Sequence, residues 1–294
     1  MRTLLMVLLC SSALLAAEPP LPLPDLSRGG VIELEAGDYE ATGDYSPRPN
    51  RPLVLRGKGP GITQIKLTGK AQSFLTIAGR VNDGKLTRNS RWILSNLTID
   101  GDDHEAHGVI LENASAGIIE NVTFEDFKGS AMTAEASWDC YFSNVRFVRS
   151  GTKDHPAFLA KDATTDPPTR TNVNNFVFVG CIWENHNGLF LYLGSGSTKN
   201  RFLGCKWHGQ LPTPAPDDHI HCAGTDNAWA SCNFTNCGGS QIVMLKGAQD
   251  NSFAGSHIGN SQRYGIELNG TENNLEGIVW TTAGGRNRLG DVKR

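Results

Sequence analysis

Apolar and polar positions alternate in a four-residue phrase that returns eight times along this chain: NLTI from Asn96, NVTF from Asn121, NVRF from Asn144, GCIW from Gly180, GCKW from Gly204, SCNF from Ser231, GSHI from Gly255 and GIVW from Gly277. Its second and fourth positions are apolar or Cys, Ser256 excepted, while the third is often Thr, Arg, Lys, Asn or His. That pattern predicts a strand with one face inward. Successive starts lie 25, 23, 36, 24, 27, 24 and 22 residues apart, so the period is near two dozen with one insertion before Gly180. Such a period is too short for two parallel strands joined by a helix and fits one turn of a solenoid.

A second phrase falls between the copies: GVILEN from Gly108, AMTAEA from Ala131, AFLAKD from Ala157, LFLYLG from Leu189, HIHCAG from His219, IVMLKG from Ile242 and GIELNG from Gly265. These read as short strands followed by turn residues, so each period holds at least two strands and no helix. Several of the following turns end in Asn, at Asn200, Asn227, Asn251 and Asn273. Asparagine tolerates left-handed backbone and its amide can bond along a stack, which predicts an asparagine ladder.

With these tetrads, and with GGVIELEAGDYE followed by LVLRGKGPGITQI, the chain resembles the right-handed parallel β-helix superfamily, the pectate-lyase-like fold, over roughly residues 29 to 290. The resemblance implies an all-β, single-stranded parallel solenoid of about ten coils, capped at its N-terminus by residues 18 to 50. It is specific for architecture. The superfamily holds polysaccharide lyases, polygalacturonase-type hydrolases, epimerases, esterases, phage tailspikes and surface proteins without catalysis.

One repeat pattern runs through nearly all of the 294 residues, so a single domain is expected from residue 29 onward. Met1 to Ala17 carries one early Arg, an apolar run and small residues at its end, and reads as a secretory signal cleaved after Ala17. The run is shorter than the roughly 20 residues a bilayer span needs. Cys10 lacks the small residue before it that a lipid-attachment signal has. Residues 18 to 28, rich in proline, form a spacer. The expected location is therefore extracellular or periplasmic, with no stable membrane span after processing. A net charge of -3 with dispersed Lys and Arg marks no nucleic-acid surface.

Six cysteines remain after processing, and Cys181, Cys205 and Cys232 share the inward tetrad position in three successive coils. A ladder of free buried thiols is expected, since Cys packs as a small hydrophobe. Export also permits a disulfide between neighbours or between Cys232 and Cys237. No CxxC pattern supports structural zinc.

Function in a solenoid concentrates where connections lengthen. Two do so: residues 148 to 156, in the coil that also carries the polar insert 161 to 172, and residues 208 to 218, which run into the strand HIHC. Asp217 and Asp218 end the second loop, and alternation puts His219 and His221 on one face of the strand. Adjacent carboxylates can divide glycoside cleavage between a protonated acid and an ionised base. The phrase is similar to the paired-aspartate motif of polygalacturonase-type hydrolases, a likeness that carries those roles to Asp217 and Asp218. The chain departs from that family elsewhere: Asn185, His186 and Asn187 stand where it has NTD, Gly238, Gly239 and Ser240 where it has GHG, and Leu245, Lys246 and Gly247 where it has RIK.

An elimination reading uses other residues. Removing the proton beside a uronate carboxylate needs a base, with a cation to neutralise the acid group. Glu112, Glu135 and Lys161 are expected in one outward column, with His155 just upstream and Lys246 and Glu267 further along it. Here the two carboxylates would hold calcium and Lys161 or His155 would be the base; the bland alternative is a surface pair of Glu135 with Lys161. No cofactor is otherwise specified. Asn187, Lys246, Glu267 and Arg263 are expected to line the cleft as substrate-binding residues. The acidic loop from Asp100 to His107 lies four coils from HIHC, on the order of 19 Å, and reads as a solvated turn.

Two classes follow: a secreted enzyme that cleaves polysaccharide as a glycosidase or lyase, and a non-catalytic β-helix that binds glycan or serves at a surface. Outward aromatics for sugar stacking discriminate them, and most Trp and Phe are expected inward.

Overall fold

A computed structural model describes residues 19–82, 85–152, 154–162, 172–186, 188–209 and 217–281. Residues 1 to 18, most of the polar insert from 161 to 172, Asn187 and most of the loop before HIHC lie outside the described residues. The tetrads form a ladder of parallel strands, among them Arg146–Val148, Ile182–Glu184, Lys206–His208, Asn233–Thr235, His257–Gly259 and Val279–Thr281, each in register with the next. The second phrase forms an eight-stranded parallel sheet running from Ser73–Ala78 to Ile266–Leu268. Together they make a parallel β-solenoid of about nine turns with almost no helix.

Each turn also contains a third strand, just ahead of the tetrad: Tyr141–Ser143, Val177–Val179, Arg201–Leu203, Ala228–Ala230, Ser252–Ala254 and Asn274–Glu276. Toward the N-terminus it fuses with the tetrad into the eight-residue strands Ile93–Asp100 and Ile118–Glu125. The corner between the two is the first tetrad residue, which has positive φ throughout: 52° at Asn144, 61° at Gly180 and Gly204, 54° at Ser231, 56° at Gly255 and 60° at Gly277. Asn and Gly recur there because they tolerate the left-handed region at little cost.

The triangular interior is filled by columns of identical chemistry. Phe142, Phe178, Phe202, Trp229 and Phe253 stack at ring separations of 4.4, 4.6, 5.2 and 4.5 Å. Beside them Phe147, Trp183, Trp207 and Phe234 stack at 4.9, 4.8 and 4.7 Å. Burying each ring stabilises by roughly 1.5–3 kcal/mol, and stacked pairs add about 0.5–1.5 kcal/mol. The expected asparagine ladder is present and buried: the Nδ2 of Asn200, Asn227 and Asn251 donates to the Oδ1 of the next asparagine at 2.9, 3.1 and 3.0 Å. Each Oδ1 also accepts the backbone N–H one rung back, so the corner leaves few polar groups unmet.

Cys181, Cys205 and Cys232 are free, buried and in one column. Their thiols point at the carbonyls of Phe142, Phe178 and Phe202, at 3.6, 3.5 and 3.3 Å. Burial pushes the Cys140 and Cys222 thiols up to about 12. A thiol-specific reagent is therefore expected to label the native protein slowly and all six of these cysteines at once in denaturant. Fewer than six labelled without reductant means that a disulfide has formed.

At the N-terminal end, Leu21–Pro22 pairs with Tyr39 and Glu40, so the proline-rich stretch contributes the outermost strand. A single 3-10 turn, Leu26–Arg28, follows, with Asp25 Oδ1 accepting the Ser27 N–H at 3.1 Å and Leu26 fully buried. These residues shield the first coil. No helix among the described residues is long and apolar enough to cross a membrane.

Candidate functional site

Along the eight-stranded sheet the strand period of two puts Leu191, Leu193, Ile220 and Cys222 inside and leaves between them a column of the opposite parity, in which Thr133 and Val243 are covered and Tyr192, His221 and Glu267 are partly exposed. That column reads Ile110, Thr133, Leu159, Tyr192, His221, Val243 and Glu267, each paired with the next across neighbouring strands. The two long connections precede strands of this sheet: 148 to 156 leads into Phe158–Ala160 and 208 to 218 into Ile220–Cys222.

His221 is held by Asp218, Nε2 to Oδ2 at 2.9 Å, and the other Asp218 oxygen accepts the Ser240 N–H at 2.5 Å. Burial opposes ionisation of Asp218, but the bonds from His221 and Ser240 and the charge of Arg263 outweigh it and hold the carboxyl below its usual range. An ionised acceptor makes His221 Nε2 the donor, so Nδ1 is the nitrogen with a lone pair. One rung away stands Tyr192, whose hydroxyl donates to Asp162 at 3.0 Å, while Asp162 also accepts the Ser195 N–H at 2.8 Å. Burial and then the Asp162 carboxylate push the phenol up to about 12, so it stays protonated at neutral pH. Two rungs the other way, Glu267 accepts from Arg263 at 2.7 Å and from Asn269 at 3.2 Å, with the Ser240 hydroxyl 3.5 Å from the Arg263-bound oxygen. Asp218, His221, Arg263 and Glu267 thus form one polar network on a single face.

No family model and no curated protein matches the chain. Solved structures do. It is similar to Geobacillus virus E2 ORF18, at 19% identity and TM-score 0.64, covering 86% of this chain and 52% of that one. It is also similar to alginate lyase from Paenibacillus sp. str. FPU-7, at 13% identity and TM-score 0.63, covering 88% and 90%. The enzymatically active domain of bacteriophage CBA120 tailspike protein 2 matches at 13% identity and TM-score 0.52, over 86% and 42%. The chain shares the right-handed parallel β-helix fold of these structures. This β-helix spans about half the length of the virus protein it matches.

Elsewhere on the β-helix the sequence-derived residues separate. His219 shares the parity of His221, yet it is buried at 3% exposure. Its ring stacks on Phe190 at 4.1 Å, with His186 against the same ring at 4.4 Å. Burial drives His219 down to about 3 and His186 to about 4, so both are neutral in the folded chain. The unfolded chain takes up protons on them below about 6.5 and the folded chain does not, so stability is present above that value and lost as pH falls below it. The thermal midpoint is expected to drop steadily from about pH 7 to about pH 4.5, with a shallower slope for His219→Gln. A pH-independent midpoint over that window contradicts the burial.

Lys161 binds Glu135, Nζ to Oε2 at 2.8 Å, and Glu112 stands in register with Glu135. With one of two carboxylates already neutralised, this column offers few of the six or more oxygens calcium takes. No group of three His, Cys, Asp or Glu suited to a metal occurs among the described residues. His155 is exposed and packs edge-on to His107, ring centroids 5.7 Å apart. Two positions differ from expectation because turn lengths vary after the strands. Glu267 belongs to the His221 column, not to that of Glu112, and Lys246 is exposed on the turn after Ile242–Met244. Asp217 contributes its carbonyl to the Cys237 thiol at 3.5 Å. The acidic loop is a turn, with Asp100 accepting the Asp102 N–H at 2.8 Å and Lys66 on Asp102 at 2.8 Å.

Tyr192 and Asp162 are the site residues that sequence reasoning passed over. The signal for Tyr192 was the alternation within LFLYLG, which places it outward between two buried leucines.

Proposed function

We propose that this protein binds an acidic polysaccharide along the outer face of the eight-stranded sheet and cleaves it by β-elimination. The observation that carries the reading is His221, oriented by an ionised Asp218 and one rung from the protonated Tyr192. His221 Nδ1 takes the proton on the carbon next to the uronate carboxylate. The electron pair left behind forms the carbon–carbon double bond as the glycosidic carbon–oxygen bond breaks. Tyr192 gives its proton to the departing oxygen, and Arg263, paired with Glu267 on the same face, would exchange that partner for the substrate carboxylate. One structure sharing this fold is named an alginate lyase, which supports a polysaccharide substrate. The leader-like segment 1 to 17 supports export to where such polymers are met.

Hydrolysis by Asp217 and Asp218 has less support. Both oxygens of Asp218 are engaged and it is held ionised, whereas a general acid must carry a proton. The ion pair of Lys161 with Glu135 likewise favours His221 over Lys161 as base. A panel of acidic and neutral polysaccharides, with calcium or with chelator, tests it by reading unsaturated products by ultraviolet absorbance alongside reducing ends. Absorbance that survives chelation supports elimination. Reducing ends without absorbance return the role to the aspartates, and silence on every polymer leaves a glycan-binding module.

A further inference from the structure

The N-terminal end of the solenoid holds a concentration of positive charge that the sheet-face site does not use. Arg28, Arg48, Arg51 and Arg80 line one cleft of about 510 Å³, together with Asp25 and two serines. Asp25 is spoken for: it accepts the Ser27 N–H and pairs with Arg28 at 3.4 Å. Arg48, Arg51 and Arg80 meet no carboxylate among the described residues. Arg48 and Arg80 also line an adjoining hollow of about 280 Å³ with Thr87, so the two guanidinium groups stand between two connected concavities. Three guanidinium groups that converge on one cleft without a carboxylate partner among the described residues repel one another, a cost that a bound anion removes.

We infer that this cleft is an anion-binding site for a sulfated or carboxylated saccharide, separate from the sheet-face site. Guanidinium forks match carboxylate and sulfate oxygens two at a time, which Lys cannot do. The volume is that of a small-molecule pocket and exceeds what one inorganic ion fills. Among the described residues lining the larger cleft none is aromatic or aliphatic, so it offers no platform for nucleobases and no anchor for a lipid chain. Arg80 follows the first strand of the eight-stranded sheet and His221 lies on the sixth, roughly 24 Å away at the strand spacing. The inference does not rest on elimination chemistry.

The test is equilibrium binding by calorimetry to the full chain, with sucrose octasulfate, trigalacturonate, maltotriose, inorganic phosphate and a dT20 oligonucleotide as probes. The expected result is binding of at least one acidic saccharide that weakens with salt and falls at least tenfold in the Arg48→Gln, Arg80→Gln double variant, while His221→Ala leaves it unchanged. Both arginines are exposed, and an unaltered thermal midpoint shows that the variant still folds. Unchanged binding in the double variant, equal binding of maltotriose, or tighter binding of phosphate or dT20 than of either acidic saccharide overturns the inference. So does a loss of binding in His221→Ala alone, which assigns the ligand to the sheet face.

Discussion

His221→Ala is expected to lower the rate of unsaturated-product formation by about 10²–10⁴-fold, the span a positioned general base contributes. The side chain is about a third exposed, at 31%, and Asp218 keeps the Ser240 N–H after its loss, so the fold should survive. Asp218→Asn tests the orienting role separately. An amide at that position no longer requires Nε2 to be the protonated nitrogen, so the rate should fall while substrate binding stays within a few-fold. Tyr192→Phe removes the acid and nothing of the ring. If all three variants turn over substrate within about threefold of the parent, the chemistry lies elsewhere on the β-helix.

Trp207→Ala should cost about 3–5 kcal/mol of unfolding free energy, the largest single effect expected in the core. Its ring is fully buried between Trp183 at 4.8 Å and Phe234 at 4.7 Å, so truncation breaks two stacked pairs and leaves a hole across a rung. Trp207→Phe makes the contrast informative. The indole Nε1 has no hydrogen-bond partner in its buried position, so phenylalanine removes an unmet donor while keeping the stack. The two effects oppose each other, and a cost below about 1.5 kcal/mol is expected. Chemical denaturation followed by intrinsic fluorescence measures both. A Phe variant as damaged as the Ala variant means that the indole donor is satisfied in solution.

The solenoid could be read from the sequence because its strands are short, in register and punctuated. A two-residue alternation makes the inward position of each tetrad visible, and a fixed period lets Cys181, Cys205 and Cys232 be stacked before any coordinates are seen. Asn200, Asn227, Asn251 and Asn273 were legible for the same reason. The strand before each tetrad was harder to see, since only one left-handed residue divides it from the next, and in Ile93–Asp100 the strand runs unbroken through that residue, Asn96 at φ 57°. Alternation also fails at a corner: His219 has outward parity but is buried, its ring stacked on Phe190 of the neighbouring coil, a contact between distant segments. The column of Glu267 could not be settled by counting from one phrase to the next, because the turns between them differ in length. Tyr192 was visible in principle, but its phrase is so apolar that its phase was easily taken for core.

The outermost strand has a consequence for how molecules meet. Leu21 and Pro22 stand between Pro19, Pro20 and Pro24, and proline has no N–H. A passing extended peptide thus finds carbonyls but almost no amide donors along that rim. Head-on pairing of another molecule along this strand is discouraged by its proline content alone.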